Sequence, residues 1–175
     1  TAEGALSQIS SSVQRIREIA VQSSNATLED RTGLQKEVDQ LTQEISRIVQ
    51  TTTFNGTSLF DVSGTSSLTF QVGQDGNANN QVSLTLSGMT GGLISAYASS
   101  LTATGTVNVS SAATASAALS TLETDIDDIS KQRATFGAVQ NRFESVISNL
   151  SNYSENLTSS RSRILDTDFA SETAN

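Results

Sequence analysis

Residues 119–164 read LSTLETDIDDISKQRATFGAVQNRFESVISNLSNYSENLTSSRSRI, and inside that stretch Leu122, Ile129, Phe136, Phe143, Leu150, Leu157 and Ile164 return every seven residues without a miss. A seven-residue return brings a side chain back to the same face after two helical turns, the spacing of a coiled-coil seam. The pattern predicts one long helix that starts near Ser110 or Ser111, either of which can cap it. At about 1.5 Å per residue, some fifty residues run roughly 75 Å. That is too long for a compact ball of this mass, so the expectation is a rod. The companion seam is less regular. It starts at Leu119 and Ile126, turns polar at Arg133 and Gln140, and Val139, Val146 and Tyr153 then take over on the other flank. Either the helix changes packing partner along its length, or this is ordinary bundle irregularity.

Working outward from this helix, the chain opens with a second periodic segment. Leu6, Ile9, Val13, Ile16 and Ala20 alternate steps of three and four, and the pattern resumes at Leu34, Val38, Leu41, Ile45 and Ile48. A polar stretch from Ser23 to Thr27, with Asn25 as a turn residue, separates the two. Residues 1–53 therefore read as an antiparallel helical hairpin, with Gly33 weakening the start of its second helix. Residues 54–110 change character. Asn55-Gly56 is a turn signal. Leu68, Phe70 and Val72, then Val82, Leu84 and Leu86, alternate with polar residues on either side of a Gly- and Asn-rich connection, Gly73 to Gln81, which predicts a β-hairpin. Gly88 to Val109 is Gly-, Ser- and Thr-rich and poorly determined, with Val107 and Val109 as a candidate short strand. Residues 111–175 complete the chain as the long helix. The fold class is mainly α with a small β-region: an elongated antiparallel helical bundle or coiled-coil rod plus a hairpin.

Composition narrows function. The 175 residues contain no Cys, His, Pro or Trp. That excludes disulfides, Cys nucleophiles and Ser-His-Asp triads, and removes the commonest general base and metal ligand. With 35 % hydrophobic and 5 % aromatic residues, the chain suits narrow helix seams rather than a wide core. A net charge of −8 argues against nucleic acid, which needs a basic footprint. No segment approaches the roughly 20 apolar residues that span a bilayer. The start at Thr1-Ala2-Glu3 carries neither a signal peptide nor an initiator Met, and both ends read as trimmed.

Most local motifs have bland readings. Asn-x-Ser/Thr at Asn25, Asn55, Asn108, Asn149, Asn152 and Asn156 is what chance gives in so Asn-, Ser- and Thr-rich a chain. Asp125, Asp127 and Asp128 lack the glycine and distal glutamate of a calcium loop, and read as a solvated face, like Asp166 and Asp168. Gly73 to Gly76 has no Lys and no following helix, so a turn is expected rather than a phosphate cradle. Glu37 and Asp39 sit on a surface helix without a pocket, and no catalytic, cofactor or metal residues are assigned. Arg15, Ile19 and Gln22 fall at steps of four and three off the Leu6-to-Ala20 seam, sharing an outer strip. An apolar residue beside Arg on such a strip is either incidental or a docking site for another protein.

QRIREIAVQSSN (14–25), TTTFNGTSLF (51–60), FQVG (70–73) and FGAVQNRFESVISNLSNYSENLTSSRSRILDTDFASE (136–172) together cover more than a third of the chain, and in this order they resemble the motifs of bacterial flagellin. The resemblance implies a non-enzymatic structural subunit, one discontinuous core domain of a filament exported without a cleaved signal peptide and assembled outside the bacterium. Terminal helices that line the filament's interior are absent, and the variable outer domains are nearly missing between Leu86 and Val109. It implies other subunits as partners, with an export chaperone and a cap acting through segments mostly absent here. It also implies recognition by Toll-like receptor 5 through Val13, Gln14, Arg15, Ile19, Gln22, Glu37 and Arg142, with Ile19 standing where a Leu is usual. The alternatives are a hook–filament junction protein, which is similar at its ends, and a coiled-coil adhesin stalk.

Overall fold

The computed structural model describes residues 1–27, 29–60, 66–73, 75–86 and 107–173. Three helices carry the fold: α1 (Ala2–Ser23), α2 (Thr32–Thr51) and α3 (Ala112–Thr173). Four short strands make two hairpins. In the first, β1 (Thr53–Phe54) pairs with β2 (Thr57–Ser58); in the second, β3 (Ser66–Gln71) pairs with β4 (Gln81–Leu86). The mainly helical class with a small β-region is what the sequence predicts. The chain divides into two compact units, Thr1–Phe70 with Ser83–Phe136, and Gln71–Val82 with Gly137–Asn175.

In the first unit α1 packs on α2. The pairing is antiparallel: Arg15 meets Glu37, while Ser23, later in α1, meets Arg31, just before α2. The predicted seam residues Leu6, Ile9, Val13, Ile16 and Ala20 are all buried, as are Val38, Ile45 and Ile48 opposite them. The break between the helices is longer than Ser23 to Thr27 and runs to Arg31. Three side chains organise it. Asn25 Oδ1 accepts from the Thr27 amide at 3.1 Å, Arg31 donates to the Ser23 carbonyl at 2.9 Å and to the Asn25 carbonyl at 2.8 Å, and Asp30 accepts from the Thr32 amide at 2.8 Å. The Thr32 amide, and secondarily its hydroxyl, hold the Asp30 carboxyl below its ordinary value. The help Asp30 gives to the start of α2 is therefore present above the ordinary carboxylate range and is lost as pH falls through the lowered value. Gly33 lies within the first turn of α2, in open space, so the helix tolerates it there.

After α2, Asn55 (φ 49°) and Gly56 (φ 79°) both take left-handed backbone. Two successive positive φ angles define the type I′ turn that joins strands by two residues, which is why Asn-Gly stands there. The register is Thr53 opposite Ser58 and Phe54 opposite Thr57. Leu59 and Phe60 then turn inward and are buried. On β4, Val82 and Leu84 are buried and Ser83 exposed, the alternation expected of a one-sided hairpin.

Val107 and Val109 do not form a strand. Both are buried, and side chains supply the partners a strand would have found. Gln35 donates from Nε2 to the Val107 carbonyl at 2.9 Å and accepts at Oε1 from the Val109 amide at 2.7 Å. Ser23 donates to the Val109 carbonyl at 2.6 Å. An amide side chain offers the same donor and acceptor pair as a peptide unit, so Gln35 acts as one rung of a ladder. The segment then enters α3, where Ser111 caps the helix by accepting from the Thr114 amide at 3.2 Å.

Along α3, Ala115, Leu122, Ile129 and Phe136 are buried in the first unit. Asp125 is buried too, against the expectation of a solvated face for all three acids there. It sits three residues after Leu122 and four before Ile129, which places it on the seam. Asp127 stays exposed, and Asp128 pairs with Lys131 at 3.0 Å. Arg133 binds Glu3 of α1 at 2.7 Å.

The second unit contains the tip of the β3–β4 hairpin and the rest of α3. At the tip the amides of Val72 and Gly73 both donate to the Asn80 carbonyl. A Cβ at Gly73 would collide with the Asn80 side chain, so any larger residue there requires Asn80 to move. The helix continues unbroken to Thr173, as the sevenfold repeat predicts. Its seam does not stay buried. Phe143 is half-buried, while Leu150, Leu157 and Ile164 are 45 %, 53 % and 70 % exposed, with Ile147 and Tyr153 beside them at 62 % and 57 %. Three of the seven repeat positions that dictate the helix are thus exposed in the single chain. The Leu86-to-Val109 insertion segment lies outside the described residues between 87 and 106, and so do Ala174 and Asn175; for Asp166 and Asp168 the backbone alone is described.

Candidate functional site

The outer face of α1 is set by the width of its inner face. Besides the five seam residues, Ala2, Ser12, Ile19 and Ser23 are buried. Ile19 lies seven residues after Ser12 and four before Ser23, so these three widen the buried stripe beyond a narrow coiled-coil seam. The helix has more than one neighbour to cover: α2, the Val109 segment through Ser23, and α3 through Glu3. Ile19 is 1 % exposed and Val13 is fully buried. The outer strip therefore lacks the apolar member expected at Ile19. Val13 and Ile19 support the surface from beneath, while Gln14, Arg15 and Gln22 stand on it.

The exposed apolar residue of α1 is Val21, at 54 %. With Gln14, Arg17 and Glu18 it lines a shallow open groove, the four residues spaced by three, four and seven along one helical face. Sequence reasoning misses Val21 because it follows seam residue Ala20 directly. Counting back in sevens to Gln14 places it outside.

Arg15 is the centre of the charged surface. Its Nε and Nη2 both lie 2.8 Å from Glu37 Oε1, and its Nη1 lies 3.0 Å from Glu18 Oε2. Hydrogen bonding to Glu37, then to Glu18, raises the guanidinium further above its ordinary value. The group is open to solvent, so it adds little to stability. What the two carboxylates do is hold a long side chain in one orientation on the rim of α1. The structure brings Arg15 and Glu37 together across the two helices, although they are 22 residues apart in sequence. Arg142 is exposed on α3 in the second unit. Among the described residues no three acidic, His or Cys side chains converge as a metal site, and no helix is long and apolar enough to cross a membrane.

Comparison with known proteins is consistent along the chain. The bacterial flagellin N-terminal helical region matches residues 1–65, and the bacterial flagellin C-terminal helical region matches residues 119–175. A flagellin of Halalkalibacterium halodurans is 39 % identical over 174 residues, covering 98 % of this chain and 61 % of the relative. The putative flagellin YvzB of Bacillus subtilis is 38 % identical over 137 residues, covering 77 % of this chain and 79 % of the relative. Among solved structures, the crystal structure of Bacillus cereus flagellin superposes with a TM-score of 0.64 at 27 % identity, over 85 % of this chain and 81 % of that one. The chain thus spans less than two thirds of the Halalkalibacterium relative's length.

Proposed function

Because the chain belongs to the bacterial flagellin family, we propose that it is the core of a structural subunit that polymerises into the extracellular flagellar filament and transmits motor torque in swimming. Its role is mechanical, not catalytic. The observation that carries this reading is the exposed part of the α3 seam. Leu150, Leu157 and Ile164 keep the sevenfold spacing of Leu122 and Ile129 yet face solvent in the isolated chain. An apolar helical stripe of this kind is an interaction surface. In a filament of stacked helices it has neighbours to pack on. The test is seeded assembly of the full-length protein, which should elongate into long filaments. Failure to elongate from flagellin seeds would favour the hook–filament junction alternative. A parallel oligomer of the 175-residue chain alone would favour the adhesin stalk.

The outer face of α1 and α2 serves a second purpose in this reading, recognition by Toll-like receptor 5. Arg15 held by Glu37 and Glu18 presents an oriented cation beside Gln14 and Gln22, with Val13 and Ile19 packed beneath, Glu37 across on α2 and Arg142 on α3 as the further contacts. Replacing Arg15 with Ala should sharply weaken receptor signalling while leaving the helical circular dichroism unchanged, since the side chain is exposed. An unaltered response would remove the receptor from this account. Export unfolded, with a chaperone and a cap as further partners, suits a chain free of Pro and Cys, in which neither slow isomerisation nor cross-links intervene. Exchanging an exposed Ser for Pro should then slow refolding or export. Unchanged rates would count against that point.

A further inference from the structure

We infer that Asn55 is a built-in site of spontaneous deamidation, the first asparagine of this chain to convert to aspartate and isoaspartate. The reaction needs a backbone amide that can reach its own neighbour's side chain. The Gly56 nitrogen attacks Asn55 Cγ, a new N–Cγ bond closes a five-membered imide, and the Cγ–Nδ2 bond breaks with release of ammonia. Water then opens the ring at either carbonyl. Opening at one returns an ordinary aspartate peptide; opening at the other routes the main chain through the side-chain carboxyl as isoaspartate. Only water is consumed.

Three features together favour reaction at Asn55, and the first and third distinguish it from Asn25, Asn77 and Asn108. Its successor is glycine, so no side chain stands beside the attacking nitrogen, and apart from the adjacent residues no heavy atom lies within 4 Å of where a Cβ would be. Asn55 and Gly56 are both exposed. The Asn55 side chain makes no hydrogen bond among the described residues, so its amide is free to rotate. Asn25, Asn77 and Asn108 are exposed as well, but they differ in their successor and in side-chain bonding. Asn25 precedes Ala26, and its Oδ1 is engaged by the Thr27 amide and hydroxyl. Asn77 precedes Ala78, and its Oδ1 accepts from Asn80. Asn108 precedes Val109, and its Oδ1 accepts from Ser110 N and Oγ. Asn141, Asn149, Asn152 and Asn156 lie inside α3, where the following amide is committed to a helical hydrogen bond.

The left-handed turn must open before the ring can close, and the hairpin does little to prevent it. Its strands are two residues each, with Thr53, Phe54 and Thr57 exposed. Two-stranded ribbons of this size are marginal by themselves and open readily. Once isoaspartate forms, the main chain is one methylene longer. A two-residue turn then cannot keep Thr53 opposite Ser58 and Phe54 opposite Thr57. The inference stands on this turn alone and is independent of filament formation.

The test is ageing of the folded 175-residue chain at mildly alkaline pH, followed by proteolytic peptide mapping in the mass spectrometer. The peptide carrying Asn55 should gain one mass unit and split into aspartate and isoaspartate forms ahead of every other asparagine peptide. A urea-unfolded sample serves as the reference for intrinsic reactivity. If the Asn25, Asn77 or Asn108 peptides convert as fast, or if Asn55 stays intact in the folded chain while the unfolded sample reacts, the inference is overturned. Asn55→Gln should abolish the acidic species that accumulate first on ageing; their persistence at the same rate would also overturn it. Asn55→Asp controls for the added charge and should keep the hairpin, because its main chain is not lengthened.

Discussion

Leu122→Ala is expected to lower the unfolding free energy by about 3 kcal/mol, the usual cost of emptying a fully buried leucine site. Leu157→Ala, the same change at the same phase of the same repeat, is expected to stay within about 0.5 kcal/mol. Sequence treats the two as equivalent, since they stand thirty-five residues, or five repeats, apart. The structure separates them: Leu122 is fully buried and Leu157 is 53 % exposed. Truncating the first leaves a cavity lined by side chains that cannot all relax into it. Truncating the second removes surface that water already wets. Urea titration of both variants checks this through the midpoint, at unchanged slope. In a domain of this size the Leu122 change should lower the melting temperature by roughly 6–12 °C. Equal effects at the two positions would mean that the α3 seam is packed along its whole length in the single chain.

Gln35→Ala is expected to cost about 2 kcal/mol, because it removes the partners of two part-buried backbone groups at once. The Val109 amide loses its acceptor and the Val107 carbonyl loses its donor, both part-buried and flanked by two buried valines. Gln35→Glu should not rescue the loss. A carboxylate still accepts from Val109, but it faces the Val107 carbonyl without a proton to donate and repels Asp39, to which Gln35 Nε2 now donates at 3.0 Å. Thermal melts of the two variants decide the matter, and wild-type stability for either one would dismiss Gln35 as a clamp. Amide exchange at Val109 should rise most in Gln35→Ala, where the acceptor is gone.

The contrast between these two sites marks how far periodicity reaches. Apolar spacing is enough for the three helices, turn chemistry is enough for the Asn55-Gly56 turn, though not for the two short strands it joins, and alternation is enough for the β3–β4 ribbon. Periodicity says which face is apolar, but not whether anything covers it, and so it cannot tell Leu122 from Leu157. Nor can it give the width of a buried stripe. A narrow seam puts Ile19 on the outside of α1, whereas burial of Ser12, Ile19 and Ser23 shows a helix with several neighbours. Chemical type makes Asp125 a surface acid, although its spacing from Leu122 and Ile129 already puts it on the seam. The Val107–Val109 segment is illegible for a different reason. Its partners are side chains of Ser23 and Gln35, more than seventy residues away, and no local rule reports a glutamine standing in for a strand.

The surface residues follow the same division. Arg15 stands out in the sequence as a cation on an outer strip. Its pairing with Glu37 is a consequence of helix α2 folding back on α1, and Val21 as the exposed apolar neighbour emerges only once the inner stripe has its true width.

Under the proposed function the buried faces build the subunit and the exposed seam of α3 packs in the filament. Because these 175 residues contain no Cys, a single Leu157→Cys change gives a unique reporter within them. Its thiol should react with a maleimide readily in the 175-residue chain and be strongly protected once the full-length protein carrying the same change is assembled into filaments. Equal reactivity in the two states would contradict the account, because that seam would then face solvent in the polymer it was said to hold together.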